Sequence, residues 1–399
     1  MGAIGIVCEY NPFHRGHEYH ISKSRGIVGG DSPVICVMTG DFVQRGEPAI
    51  FSKYARAEAA CLCGADIVVE LPLPWSLASA ERFASGAVSL LAALGAEHIS
   101  FGSEAGELQL LEDAAAALLD PDFNDEVKSE LKRNPSISYP QARQIILQKK
   151  TGEWADVISM PNNILAIEYI KAIISQELPL KPVTVKRIGS AHDSDSVSEF
   201  RSAAEIRRIF SEGGDMDELL PEKACTVFRR EMVKGRVIKR ADALDLAILS
   251  RLRMFDEKYF DLLPDASDGA GRRLFNAVQN EPTLETVCAH AKTRRYTLSR
   301  IRRMCMCAAL GLTPEMQLSL PTYARILAAD QKGCDYLRSI RENSGVELIS
   351  KPAAIKKLDR ESNTVFTKTA AAHDLYVLGF PSEEQRKAGD DWRTGPKIV

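Results

Sequence analysis

The sequence predicts an α/β fold, a Rossmann-like parallel sheet over residues 1–213 followed by a mostly α-helical unit over residues 214–399. Three observations predict it. Through the first half, short apolar runs rich in β-branched residues alternate with helix-like stretches, the pattern of βαβ units and a parallel sheet with helices on both faces. After Ser211-Glu212-Gly213-Gly214-Asp215 the character changes, and most of the remaining chain reads as helix. With 399 residues and 45% hydrophobic content, the chain is long enough for two or three units with large cores.

The elements follow in order. Ala3 to Cys8 is an apolar first strand, and Pro33 to Met38, Ala65 to Leu71 and His98 to Phe101 are further strands. Helices are expected between them over His17 to Arg25, Ser52 to Cys63 and Ser79 to Leu94. Glu107 to Lys150 is polar and helical, broken at Pro135 and Pro140. Ile164 to Ser175 is a helix entered from Pro161-Asn162-Asn163, and Val183 to Ile188 is another strand. Ser202, with Glu205 three residues on, predicts a capping box for a helix reaching Phe210. Beyond Gly214, helical pattern covers Ala241 to Phe255, Arg272 to Val278, Leu298 to Leu310 and Ala324 to Ala329. The charged tail from Ser382 reads as loosely held. There is no internal repeat.

The net charge of -3 gives no global sign of nucleic-acid binding, although a local basic patch does not need a basic total. Nine cysteines, an odd count without a C-x-x-C repeat, point to a reduced protein and a cytoplasmic location. No apolar stretch has the length of a membrane span, and Glu9 interrupts the first apolar run, so that run is a buried strand and not a signal peptide.

The chemistry concentrates where the first strand ends. Asn11-Pro12-Phe13-His14-Arg15-Gly16-His17 is a Pro-containing turn followed by two histidines at the mouth of a helix. Helix N-terminal amides and the positive dipole end suit an anion, Gly16 admits close backbone approach, and imidazole N–H groups can hydrogen-bond phosphate oxygens. In a parallel sheet this turn falls at the carboxyl edge of the strands, where ligands bind. Asp41, in Met38-Thr39-Gly40-Asp41, ends the second strand at the same edge and is open to three roles: cation ligand, proton acceptor from an amine, or turn residue. Arg45 and Lys53 have a solvated basic surface as their default reading. Arg229 to Arg240 and Lys292 to Arg303 each contain six Lys or Arg, stripes suited to RNA phosphates, with Tyr296 available to stack on an unpaired base.

The Asn11–His17 segment resembles the signature of the HIGH-type nucleotidyltransferases. With Glu9-Tyr10, Met38 to Ala49, Phe101-Gly102-Ser103-Glu104, Pro161 to Leu165, Ser202 to Arg207, Arg295-Tyr296-Thr297 and Tyr323 to Leu327, the text is similar to the bacterial tRNA(Met) cytidine acetate ligase family. The resemblance spans both halves of the chain. It implies ATP as co-substrate, accompanied by Mg2+, with no acetyl-CoA and no resident metal. It also implies acetate and the anticodon loop of elongator tRNA(Met) as partners, and none in a membrane.

By the same resemblance, His14, His17 and Asp41 are the catalytic candidates. ATP would be held by Val7, Cys8, Glu9, Tyr10, Asn11, Pro12, Phe13, His14, Gly16, His17 and His20, by Gly102, by Asn162 or Asn163, and by Arg187, Ile188, Ser202 and Arg207. The tRNA candidates are Arg294, Arg295, Tyr296, Arg300, Arg302 and Arg303. The implied reaction makes acetyl-adenylate and passes the acetyl group to N4 of the wobble cytidine. The alternatives are a small-molecule adenylyltransferase or ligase of the same core, and a non-catalytic tRNA-binding protein. Arg15 and Gly271-Arg272-Arg273 depart from the usual family text. Ile349-Ser350-Lys351 resembles part of the KMSKS loop of synthetases. It lies deep in the second half, where Ser202 to Arg207 already fills that role, so it receives no assignment.

Overall fold

The structure, a computed structural model, describes residues 2–137, 139–152, 160–187 and 200–399. Its centre is an eight-stranded sheet in the order β5-β4-β1-β2-β3-β6-β7, with β8 also pairing β6. The strands are β1 (Ala3–Cys8), β2 (Val34–Thr39), β3 (Ile67–Leu71), β4 (Ala96–Ser103), β5 (Lys181–Lys186), β6 (Tyr323–Ala329), β7 (Glu347–Ile349) and β8 (Lys397–Ile398). All neighbours are parallel except β3 and β6.

Period-two alternation explains why the inner strands are apolar throughout. Ala3, Ile35, Val37, Ile67 and Val69 face one layer, packed under helices Ala80–Ala93 and Pro161–Ser175. Ile4, Ile6, Cys36, Met38 and Val68 face the other, under helices Lys53–Leu62 and Glu222–Val233. A third core lies within the helices between residues 244 and 312 and reaches Ala372, Tyr376 and Phe380 of the Arg360–Val377 helix and its exit.

The chain runs β1, β2, β3 outward in one direction, then returns to place β4 on the other side of β1. The strand order therefore reverses at β1 and β4, the switch point whose carboxyl-end crevice is where a parallel sheet binds ligands.

Beyond Gly214 the chain is mostly helical, with one correction. Ala324 to Ala329, expected as helix, is strand β6, which pairs antiparallel with β3 and is buried on both faces. A seven-residue run that is apolar except for Arg325 has no period that separates a buried strand from a buried helical turn. The tail also departs from its loose reading: β8 joins the sheet, and Asp391 is only 1% exposed. All nine cysteines are free thiols. Among the described residues, no helix is long and apolar enough to cross a membrane.

Candidate active site

The end of β1 leads through Tyr10, at φ 47, and a cis Asn11–Pro12 peptide into the helix Arg15–Val28. His14 is the N-cap, in extended conformation, and its Nδ1 accepts from the Gly16 backbone N–H at 3.1 Å. His17 closes the box from three residues on, its Nδ1 accepting from the His14 N–H at 3.2 Å. The two rings stack at 3.7 Å. A nitrogen that accepts a hydrogen bond carries no proton, so both neutral imidazoles hold their proton on Nε2. Each ring thus presents one Nε2–H donor, with its orientation fixed by the backbone.

Both rings stay neutral at physiological pH. Burial, with the Arg187 and Arg207 guanidiniums, pushes His14 down to about 4. Burial and the charge of His14 hold His17 well below the usual imidazole range. His20, one turn further along, bonds Ser100 Oγ of β4 at 3.0 Å, and burial and Arg187 lower it to about 4. A Cβ on Gly16 would stand 2.9 Å from His14 Cε1, so only glycine leaves the cap undisturbed.

Two of the other predicted ATP residues, Arg187 and Arg207, act on this helix start. Gly102 lies near the end of β4, and a Cβ there would press within 3.3 Å of Arg187 Cγ. Arg187, exposed just past β5, is tied back by its N–H to the Ser103 carbonyl at 3.0 Å. Arg207 donates to the Asn11 carbonyl at 2.8 Å, carrying the Ala203–Ser211 helix to the signature turn. Asn11 takes the Ile50 N–H on Oδ1, and its buried Nδ2 has no partner among the described residues.

Glu104 caps the Pro161–Ser175 helix through both its carboxylate oxygens. The two asparagines beyond it separate clearly. Asn163 is wholly buried, and its Oδ1 accepts from Glu104 and Ala105 N–H groups. Asn162 is half-buried, with Nδ2 on Glu104 Oε1. Ser202 caps its helix by accepting from Glu205 N–H at 3.2 Å, but Glu205 pairs with Arg201, so the reciprocal half of the expected capping box is not shown. Ile188 lies outside the described residues.

Behind the signature sits a buried ionic network that the sequence did not announce. Arg56, wholly buried, donates to the carbonyls of Glu9, Thr39, Gly40 and Phe51, fastening the ends of β1 and β2 together. Half-buried Glu9 accepts from Gln44 N–H at 3.0 Å, and burial raises its carboxyl.

Asp41 is buried, accepting from Lys53 N–H at 2.8 Å and from His373 Nδ1 at 2.7 Å. Burial alone would raise its carboxyl, but His373 and Lys53 outweigh it and hold the group far below the carboxylate range. Lys53, expected at a solvated surface, is instead wholly buried between Glu70 at 2.8 Å and Asp391 at 2.6 Å. Arg325 of β6 pairs with Asp391 at 2.7 Å, and Tyr54 donates to the same carboxylate at 2.8 Å. Burial opposes a charge on His373, yet Asp41 and Asp390 lift it to about 10. The pairs His373–Asp41, Asp391–Lys53, Asp391–Tyr54 and Arg325–Tyr54 each span more than 250 residues, a separation at which a single sequence carries no pairing signal.

The predicted tRNA stripe is only partly free. Arg294 and Arg295 are exposed, the latter 3.0 Å from Asp268. Tyr296 is 7% exposed, donates its hydroxyl to the Asp268 carbonyl and lies under Arg300, so the expected base-stacking ring is packed inside the protein. Arg300 donates to the Asp265 carbonyl, Arg302 pairs with Glu47, and buried Arg303 pairs with Asp265 at 2.9 Å. The Arg229 to Arg240 stretch is similarly engaged, through Asp217, Glu58, Glu231 and Asp242.

Residues 1–391 match the HIGH Nucleotidyl Transferase family. The tRNA(Met) cytidine acetate ligase of Syntrophomonas wolfei is 35% identical, with 99% of each chain covered. That of Acetivibrio thermocellus is 35% identical over 98% of each chain. The chain belongs to the tRNA(Met) cytidine acetate ligase family. Among solved structures, Thermotoga maritima TmcAL bound with alpha-thio ATP is similar at TM-score 0.90 and 29% identity, over 100% of this chain and 99% of that one. Its apo form is similar at TM-score 0.92 and 30% identity, over the whole of both chains. Family membership makes this chain an ATP-dependent ligase on the nucleotidyltransferase fold.

Proposed function

We propose that this ligase activates acetate with ATP and acetylates N4 of the wobble cytidine of elongator tRNA(Met). The observation that carries the reading is the pair of neutral histidines whose Nδ1 atoms cap the helix and whose Nε2–H groups are left as donors at the crevice. An acetate oxygen attacks the α-phosphorus of ATP, the bond to the β-phosphate breaks, and pyrophosphate leaves with acetyl-adenylate remaining. His14 and His17 donate to the phosphate oxygens that gain charge, and the helix N-terminus adds its amides.

Arg187 and Arg207 supply fixed positive charge beside them. Asn11 Nδ2, Asn162, Gly102, Ser202 and the residues from Val7 to Phe13 shape the rest of the nucleotide site. Mg2+ accompanies the nucleotide as part of the substrate. Positioning and charge stabilisation account for most of this step, and no covalent enzyme intermediate is required.

The cytidine then leaves its stack to reach the adenylate, as chemistry on a base in RNA demands. Its exocyclic amine attacks the acetyl carbonyl, loses a proton, and AMP departs, leaving N4-acetylcytidine. Asp41 serves this site as a positioning residue: with both oxygens held by Lys53 and His373, it anchors the end of β2 and stands apart from proton transfer. Residues 1–213 carry activation, residues 214–399 hold the RNA, and the reaction belongs in the cytoplasm.

Incubation with ATP, labelled acetate and a tRNA(Met) transcript tests the reading, which expects label in the RNA that depends on all three. Folded protein that leaves the RNA unlabelled defeats it. His17→Ala should abolish acetate-dependent ATP–pyrophosphate exchange while tRNA binding persists.

A further inference from the structure

The part of the second half that the proposed function leaves unused is a cleft beside β7, the outermost strand on its side of the sheet. Its volume is about 610 Å³, and Arg341, Lys351 and Lys357 line it together with Thr322, Ser344 and Ser350. All three cations are exposed, and none forms an ion pair among the described residues. Glu347 is the single carboxylate in the lining.

This is the reverse of the 292–303 stripe. There the charge is dense in sequence, but Arg302 and Arg303 already pair with the carboxylates of Glu47 and Asp265, and Arg300 is tied to the Asp265 and Ser267 carbonyls. A guanidinium already paired with a carboxylate offers a phosphate less net charge than a free one, so Arg302 and Arg303 contribute less affinity than unpaired cations would. Around β7 the charge is sparse in sequence, and the fold assembles it without neutralising it.

We propose that this cleft receives backbone phosphates of the RNA substrate, with Arg341, Lys351 and Lys357 as the contacting cations. The inference rests on the reading that the substrate is a tRNA. The lining favours a backbone over a base or a free nucleotide: it contains no aromatic ring to stack on. Its polar groups sit in an open cleft, suited to positioning and unsuited to reading base edges.

Its place in the sheet supports the same choice. β6 runs antiparallel to β3, so Thr322 and the start of β7 stand at the sheet edge that carries the ends of β1, β2 and β3. Four strand steps separate β7 from β1, roughly 19 Å at ~4.8 Å each. A folded RNA with one base in the crevice spans that distance, whereas a mononucleotide does not.

The test is the full-length triple variant Arg341→Ala, Lys351→Ala, Lys357→Ala, with tRNA(Met) transcript binding followed by fluorescence anisotropy across a salt series. The expected result is at least tenfold weaker binding near 0.1 M salt, and a slope of log affinity against log salt shallower by about 2. Exchange of pyrophosphate into ATP, measured without RNA, stays at the wild-type rate.

Wild-type affinity and slope in the triple variant, while Arg294→Ala with Arg295→Ala loses both, overturn the inference and leave the proposed function standing. So does a triple variant that keeps tRNA but loses calorimetric binding of inorganic phosphate, which assigns the cleft to a free anion. A wild-type protein that neither binds nor acetylates the transcript removes the proposed function and this inference together.

Discussion

Gly16→Ala should separate activity from stability. The new Cβ stands 2.9 Å from His14 Cε1 and 3.0 Å from its Nδ1, against ordinary contacts of 3.4 Å and beyond, so the ring has to give by about half an ångström. The available relief is rotation of His14, which draws Nδ1 off the residue-16 N–H and pulls the ring from its 3.7 Å stack on His17. Loss of the cap is worth ~1 kcal/mol and loss of the ring contact ~0.5–1.5 kcal/mol. Together they displace one of the two phosphate donors at a cost of about 2 kcal/mol, or roughly 30-fold in rate if expressed in the transition state. Alanine also restricts the unfolded chain and favours helix, returning ~0.4–1 kcal/mol to global stability. The melting temperature should therefore move by only a few degrees while acetate-dependent ATP–pyrophosphate exchange falls about 30-fold. Exchange within threefold of wild type would refute the claim that the His14 cap sets the donor geometry.

Lys53→Met should lower stability by ~3–5 kcal/mol in urea unfolding, because it leaves Glu70 and Asp391 as buried carboxylates without their ammonium. It should also expose the C-terminal tail to limited proteolysis, and an unchanged urea midpoint would count against the network as the tail's anchor. Tyr296→Phe should cost ~1 kcal/mol of stability by deleting the hydroxyl bond to Asp268, with tRNA affinity unchanged; a tenfold loss of affinity would show that the ring does leave its packing.

Stability should also fall on both sides of a neutral plateau. On the acid side, His14 and His20 have folded values near 4 against 6.5 unfolded, and His17 shifts the same way. The unfolded chain therefore binds more protons as pH drops below 6.5, and each ring removes up to ~1.4 kcal/mol per pH unit down to its folded value. The depressed carboxyls of Asp41 and Asp391 add their loss below 3.8. On the alkaline side, the contribution of His373 is full below 6.5 and is lost as pH rises through about 10. Denaturation of His20→Asn across pH should show a shallower acid slope than wild type; an identical slope would remove that ring from the account.

Local patterns were legible in the sequence, and distant pairings were not. β1 to β4, their helices and the placement of His14, His17 and Gly102 at one sheet edge follow from short-range periodicity and from the rule for parallel sheets. What escaped was decided by contacts across the chain. β6 carries no local sign of its strand state because its register is set by β3, far upstream. Lys53 looked like surface lysine because nothing near it announces Asp391, which neutralises it. Tyr296 and Arg303 looked like RNA ligands because charge density in sequence says nothing about whether a carboxylate such as Asp265 folds onto it. Arg341 and Lys357 carry no local signal, and Lys351 carries only the KMSKS-like fragment Ile349-Ser350-Lys351, because only the fold brings the three unpaired cations to one cleft.

The three-residue spacing of His14 and His17 has a physical origin that a phosphate-binding role alone does not supply. An N-cap and the third helical residue are the two positions whose side chains can each satisfy the other's backbone N–H. A Ser with a Glu fills those positions equally well as a cap, but it sets a carboxylate at the mouth of the site and leaves no outward donor beyond a hydroxyl. Imidazole has two nitrogens on opposite sides of a rigid ring. One accepts the backbone bond, which fixes the tautomer and keeps the ring neutral; the other must then be a donor, directed away from the helix. The cap and the ligand donor are thus one device. Substituting aspartate for either histidine should keep part of the cap and lose the donor, because an ionised carboxylate only accepts, so the two functions are experimentally separable at a single position.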